Sequence, residues 1–357
     1  MKKFLTIMLS LMLLTGLFPC AGVAESKPLT VVTTIFPIYD WARQIIGENG
    51  NTNLVLLLDN GVDLHSYQPS AQDIMTISTA DLFIYVGGES DEWVEDVLES
   101  AMNPDLVAIS LTEAMGEDLK EEEIVEGMQH DHDHDHEDED HDHDEDHDED
   151  HDHDREEEHD HDEDHDEDHD HDHEHEHEDE YDEHVWLSLR NARKLTVAIA
   201  EALAGIDAAN ADAIRENAAA YDAQLQELDA KYTETVENAA LKTVLFGDRF
   251  PFRYLTDDYG LTYYAAFTGC SAESEASFET IAFLAGKADE LNLPAVLTIE
   301  GGNHKIADTV ISASAKADRK VLTMNSMQSV TADDVKNGMT YLSMMEENLN
   351  VLKEALN

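Results

Sequence analysis

The sequence predicts an α/β protein of two lobes, each a parallel sheet flanked by helices, joined by one long rigid helix. Three observations carry this. At 357 residues the chain is long enough for more than one core. Short apolar runs alternate with amphipathic helical stretches twice, over 29–119 and over 242–356. That rhythm calls for parallel strands with helical crossovers. Between the two runs, 210–238 contains neither Pro nor Gly and is rich in Ala, Glu, Gln and Leu, the composition of one helix of about eight turns.

The elements follow in order. The β-branched run 29–35 reads as a buried strand and 39–47 as a helix. A second strand over 53–58 leads into the polar loop 60–69. Ser70 with Asp73 has the form of a helix N-cap and capping box, opening a helix to about residue 80. A strand over 82–86, a helix over 91–101 and a strand over 106–109 complete the first run. Residues 185–203 are helical. The second run places strands at 242–246, 261–266, 295–299 and 320–324, and helices at 277–291, 305–317 and 333–356. The expected division is a first lobe over 25–205, a bridging helix over 206–240 and a second lobe over 241–357. Open parallel sheets bind ligands at the carboxyl ends of their strands, so a crevice between such lobes is the expected binding place.

Within the first lobe lies a segment that no core can use. Residues 130–183 hold 17 His, 35 Asp or Glu, Arg155 and Tyr181. A solvated, disordered loop is expected over 128–183. An acidic spacer needs no imidazole at every second or third position, whereas zinc, copper and nickel take imidazole readily and carboxylate as a supplement. The tract is therefore expected to collect metal at many overlapping sites. The formal charge of −60 repels phosphate backbones, which excludes nucleic acid as a partner, and attracts cations.

The N-terminus has the form of an export signal over 1–24. Lys2 and Lys3 precede an apolar run over 4–18, too short for a permanent span, and Gly22-Val23-Ala24 offers a cleavage site. Cys20 raises lipid attachment as an alternative, although Phe18 and Pro19 fit such a site poorly. The expected location is the periplasm or the outer face of the cell membrane. Cleavage after Ala24 leaves Cys270 without a disulfide partner.

Only three histidines lie outside the tract: His65, His184 and His304. His65 follows a strand in Gly61-Val62-Asp63-Leu64-His65-Ser66-Tyr67-Gln68-Pro69. His184 sits in Asp182-Glu183-His184-Val185-Trp186-Leu187, where apolar neighbours anchor it to a core. These two motifs, with the histidine-rich insertion just before the second, resemble those of the zinc and manganese solute-binding proteins of bacterial ABC importers. Val86-Gly87-Gly88-Glu89 with Trp93, the long helix, and Tyr254 with Tyr259-Gly260-Leu261 extend the resemblance over essentially the whole mature chain.

The resemblance implies a four-ligand metal site between the lobes, with His65 and His184 as the first two ligands. The other two come from the second lobe, where the chain departs from the pattern. Arg249 stands where zinc members place a histidine, and a guanidinium stays protonated and cannot ligate. Asp248, one residue earlier, and Glu300, at the end of strand 295–299, are the expected third and fourth ligands. A salt bridge to Arg249 or Arg253 is the plainer role for Asp248, and a helix cap or interlobe hydrogen bond for Glu300. His304 is a lesser candidate, and Cys270 reads as a small buried residue before it reads as a ligand. The implied function is a high-affinity zinc receptor, monomeric, delivering Zn2+ to a membrane permease driven by a cytoplasmic ATPase. The alternatives are a manganese receptor or an extracellular metal buffer without a transporter. An enzyme is not expected, because no His-Glu-x-x-His pair lies outside the tract.

Overall fold

The computed structural model describes residues 27–48, 51–129, 181–271 and 274–357. The expected signal peptide with Cys20, and the tract over 130–180, lie outside the described residues. The chain divides into two compact units. One is built from the described residues of 1–116, 188–232 and 327–347, the other from those of 117–187, 233–326 and 348–357. Among the described residues no helix is long and apolar enough to cross a membrane.

The first unit holds a four-stranded parallel sheet. Its strands are β1 (Leu29–Thr33), β2 (Thr52–Leu56), β3 (Leu82–Tyr85) and β4 (Val107–Ser110), in the order β2-β1-β3-β4. Val31 pairs with Leu54 on one side and Leu82 on the other, so β1 is central and reads as a run of β-branched residues. Helix α1 (Phe36–Ile46) carries Pro37 in its first turn, where the missing N–H is no loss. Its Ile38, Trp41 and Ile45 are completely buried. Helix α2 (Ala71–Ser78) opens with the expected capping box: Asp73 N–H donates to Ser70 Oγ at 3.2 Å and Ser70 N–H to Asp73 Oδ2 at 2.8 Å. Helices α3 (Trp93–Glu99), α4 (Leu111–Met115) and α5 (Leu189–Ile206) follow.

The long helix α6 (Ala211–Asn238) is unbroken, as its composition predicts, and its residues divide between the two units. The second unit holds the other parallel sheet, made of β5 (Thr243–Phe250), β6 (Thr262–Thr268), β7 (Ala295–Ile299) and β8 (Lys320–Met324) in the order β6-β5-β7-β8. Helices α7 (Arg253–Tyr259), α8 (Phe278–Glu290) and α9 (Lys305–Ala313) accompany it. Leu245, Phe267, Leu284, Val296 and Val310 are in its core.

Two of the differences from expectation have a clear physical cause. Strand β5 runs four residues past 246 because it absorbs an irregularity: its register against β6 shifts between Phe246 and Arg249. Gly247 makes this possible, since a Cβ there would lie 2.6 Å from Ala307 Cα in α9. The terminal helix is broken into α10 (Ala332–Lys336) and α11 (Tyr341–Ala355). Gly338, at φ 92°, turns the chain between them. The turn lets Tyr341 N–H donate to the fully buried Asp40 carboxylate at 2.7 Å, with Arg43 pairing the same side chain.

Candidate metal centre

Each unit presents one histidine through the same local device. In the first unit, the loop after β2 is fastened to the chain around 330: Gly61 N–H donates to Val330 O at 3.3 Å, and Asn60 bridges Thr331. It then closes a 3-10 turn, Leu64–Ser66, capped by Asp63, whose Oδ1 accepts the His65 N–H at 3.0 Å. The His65 Nδ1 lies 2.8 Å from Ser90 Oγ. Ser90 is placed by the two glycines before it. Gly87, at φ 87°, leaves no room for a Cβ, which would fall 2.2 Å from Thr112 Oγ1. The turn also directs Val86 N–H and Gly87 N–H onto Asp91 Oδ2, at 2.8 and 3.1 Å. A bond at Nδ1 fixes the ring plane, and where the ring is the donor to Ser90 the lone pair lies on Nε2.

In the second unit, Asp182 Oδ1 accepts the His184 N–H at 2.8 Å and lies 3.0 Å from His184 Nδ1. An ionised carboxylate only accepts, so the ring nitrogen donates and the lone pair resides on Nε2. His184 is completely buried. Trp186 lies 5.2 Å away, ring centre to ring centre, and Gly269 backs the imidazole so closely that a Cβ there would stand 2.9 Å from Cε1. Burial alone opposes charge on the ring. The Asp182 carboxylate outweighs it, with Glu183 and Glu122 behind, and holds the imidazole pKa above its ordinary value.

The same spot holds a residue that sequence reasoning set aside. Cys270 follows β6, and a ring nitrogen of His184 and the Cys270 Sγ lie within 4.8 Å of each other. The Cys270 N–H donates to Glu122 Oε1 at 3.2 Å, and its thiol reaches Glu183 Oε1 at 3.9 Å. Burial, then the charges of Glu183, Glu122 and Asp182, push the thiol pKa well up. The signal in the sequence is position: Cys270 stands at the carboxyl end of a parallel strand, where ligands of such sheets gather.

Asp248 and Glu300 also stand at carboxyl ends of strands, and their oxygens accept hydrogen bonds from the chain. Asp248 Oδ1 accepts Arg249 N–H at 2.9 Å and Oδ2 accepts Ile299 N–H at 3.2 Å, which braces the β5 irregularity against the end of β7. Burial raises the Asp248 pKa. Glu300 takes Ser326 N–H at 2.6 Å and Ser326 Oγ–H at 2.8 Å. Ser326 in turn accepts the Trp186 indole N–H at 2.9 Å, so Glu300 steadies the ring beside His184. Among the described residues, no cluster of three ligand-type side chains includes either acid. His304 precedes α9 with φ 55°, and its buried Nδ1 makes no hydrogen bond.

The flanks of the acidic tract are tied down in this unit. Glu121 and Tyr181 form an antiparallel bridge, and Asp182 N–H donates to Lys120 O at 2.9 Å. The Tyr254 hydroxyl joins both flanks, donating to Asp182 O at 2.8 Å and accepting Lys120 N–H at 3.0 Å.

Known proteins resemble this chain over nearly its whole length. The zinc-binding lipoprotein AdcA of Streptococcus pneumoniae is 29% identical over 359 residues, covering 99% of this chain and 61% of the relative. The chain thus spans less than two thirds of that protein. The high-affinity zinc uptake system protein ZnuA of Bacillus subtilis is 28% identical over 337 residues, 94% of this chain and 90% of the relative. Among solved structures, the Zn(II)-bound ZnuA-like domain of S. pneumoniae AdcA superposes with a TM-score of 0.63 at 26% identity, covering 92% of this chain and 98% of the domain. The metal-dependent lipoprotein YcdH of B. subtilis gives 0.66 at 26% identity, over 92% of this chain and 99% of its own. The profile of the family described as zinc-uptake complex component A, periplasmic, matches residues 31–355, and the chain belongs to that family.

Proposed function

We propose that the chain is a zinc receptor that works outside the cytoplasm and delivers Zn2+ to an ABC permease with its cytoplasmic ATPase. His65 and His184 ligate the transported ion. The acidic histidine tract collects metal ahead of that site. The observation that carries the reading is the His184 imidazole: wholly buried, with Nδ1 held by Asp182 at 3.0 Å. A carboxylate on one ring nitrogen orients the other for metal and raises its basicity. The matching Asp-x-His bracket at His65 supports the same role there. The zinc named for the relatives and their Zn(II)-bound structure supports the choice of ion. Imidazole also suits zinc better than manganese, which favours oxygen donors.

The test is calorimetry on a variant in which a short Gly-Ser link replaces residues 131–179. The expected result is one tight zinc site per chain, with manganese weaker. His65→Ala or His184→Ala removes at least about two decades of that affinity, beyond what loss of an outer partner costs. A metal buffer would instead lose nearly all its capacity with the tract, and that outcome would overturn the receptor reading.

A further inference from the structure

We propose that Cys270 is a direct ligand of the transported ion, and that its sulfur widens the cargo from zinc to the thiophilic dications, cadmium foremost. This rests on the receptor reading and adds to it a ligand and a substrate class.

The geometry places the thiol and the imidazole as partners. Two ligands of one tetrahedral zinc, at about 2.3 Å for sulfur and about 2.0 Å for nitrogen, stand about 3.5 Å apart. The Cys270 Sγ and a His184 ring nitrogen are within 4.8 Å, near that separation. The turn that carries Cys270 is moulded to the histidine, since Gly269 touches the imidazole where any side chain would collide. The two side chains are oriented from one stretch of chain. Asp182 clamps His184, and Glu183 receives the Cys270 thiol. Glu122 fixes the Cys270 main chain from the other flank of the tract. The Asp182 carboxylate behind His184 is the outer partner that holds that ligand in register around an ion, while the thiol contact to Glu183 belongs to the metal-free protein and is given up when the sulfur ionises.

Binding is then a simple exchange. The thiol S–H ionises, its sulfur electron pair bonds to the dication, and the proton leaves to solvent. Nothing is oxidised or reduced. A sulfur donor favours zinc and, more strongly, the softer cadmium, and it disfavours manganese. The rival role for Cys270 is a small buried residue that fills a turn.

The experiment titrates Cd2+ into the full chain carrying Cys20→Ser, so that Cys270 is the single thiol, and records ultraviolet difference spectra. The histidine tract has no sulfur and is silent in the sulfur-to-cadmium charge-transfer region. The expected result is a charge-transfer band with the amplitude of one thiolate, which added zinc displaces. Cys270→Ser should abolish the band and lower cadmium affinity by at least about ten-fold more than zinc affinity, given what even an outer partner contributes. The band needs no variant at position 270, so it decides the matter even if Cys270→Ser fails to fold. Tight zinc binding with no band on cadmium loading overturns this proposal and leaves the receptor standing. Absence of any tight zinc site in the tract-deleted chain overturns the receptor reading itself.

Discussion

His184 shows how one residue is tuned by its immediate partners. Its folded pKa is raised because Asp182, helped by Glu183 and Glu122, outweighs the burial that would lower it. A group raised on folding stabilises the metal-free protein below its unfolded pKa of about 6.5, and that contribution is lost as pH rises through the folded value. Zinc binding runs the other way, because the ring must be deprotonated to ligate. Thermal melts of the metal-free wild type and His184→Gln, compared over this range, should show the wild-type advantage shrinking with rising pH. The zinc-loaded wild type should gain stability over the same interval. A wild-type advantage independent of pH would remove the Asp182–His184 charge pairing from the account. Both histidines stood out in the sequence because only three lie outside the tract; the structure adds the aspartate two residues earlier that accepts each one's main-chain N–H. Cys270 was harder to read, since a cysteine in a Gly-Cys-Ser turn looks the same whether it packs or ligates.

At the scale of elements, strands β7 and β8 coincide with the expected 295–299 and 320–324 because each is a short apolar run with clear ends. Strand β5 was read short, because an irregularity at Gly247 and Asp248 interrupts the alternation that marks a strand. Asp248 is the clearest consequence. An acid at a strand end suggests a ligand in sequence, and the structure shows that it also ties β5 to the Ile299 N–H. Asp248→Ala leaves that N–H without its acceptor and should cost about 1–3 kcal/mol of stability. Urea unfolding measures this loss, and calorimetry on the same variant should return the wild-type zinc affinity. A large fall in affinity with unchanged stability would place Asp248 in the ligand set. The break at Gly338 was read through as one helix, although the short helix before it buries no side chain and the glycine turns the chain at φ 92°.

For the whole molecule, charge is the dominant property. A chain of formal charge −60 draws dications inward by its summed field, and that field is screened within about 8 Å at physiological salt. The zinc association rate in stopped flow should therefore fall steeply with added salt, while the dissociation rate from the inner site changes little. A salt-independent association rate would argue that the acidic surface plays no part in capture. The two-sheet architecture was readable from alternation and length. The way 327–347 returns to the first unit was not, because it depends on long-range bonds such as Tyr341 to Asp40.

The bridge between Glu121 and Tyr181 has a practical implication. Two chain ends fastened side by side form a natural port, and for a flexible connection each doubling of length adds only about 0.6 kcal/mol to closure. An engineer can use the same port to splice in a fluorescent reporter beside His184 and obtain a sensor whose signal follows occupancy.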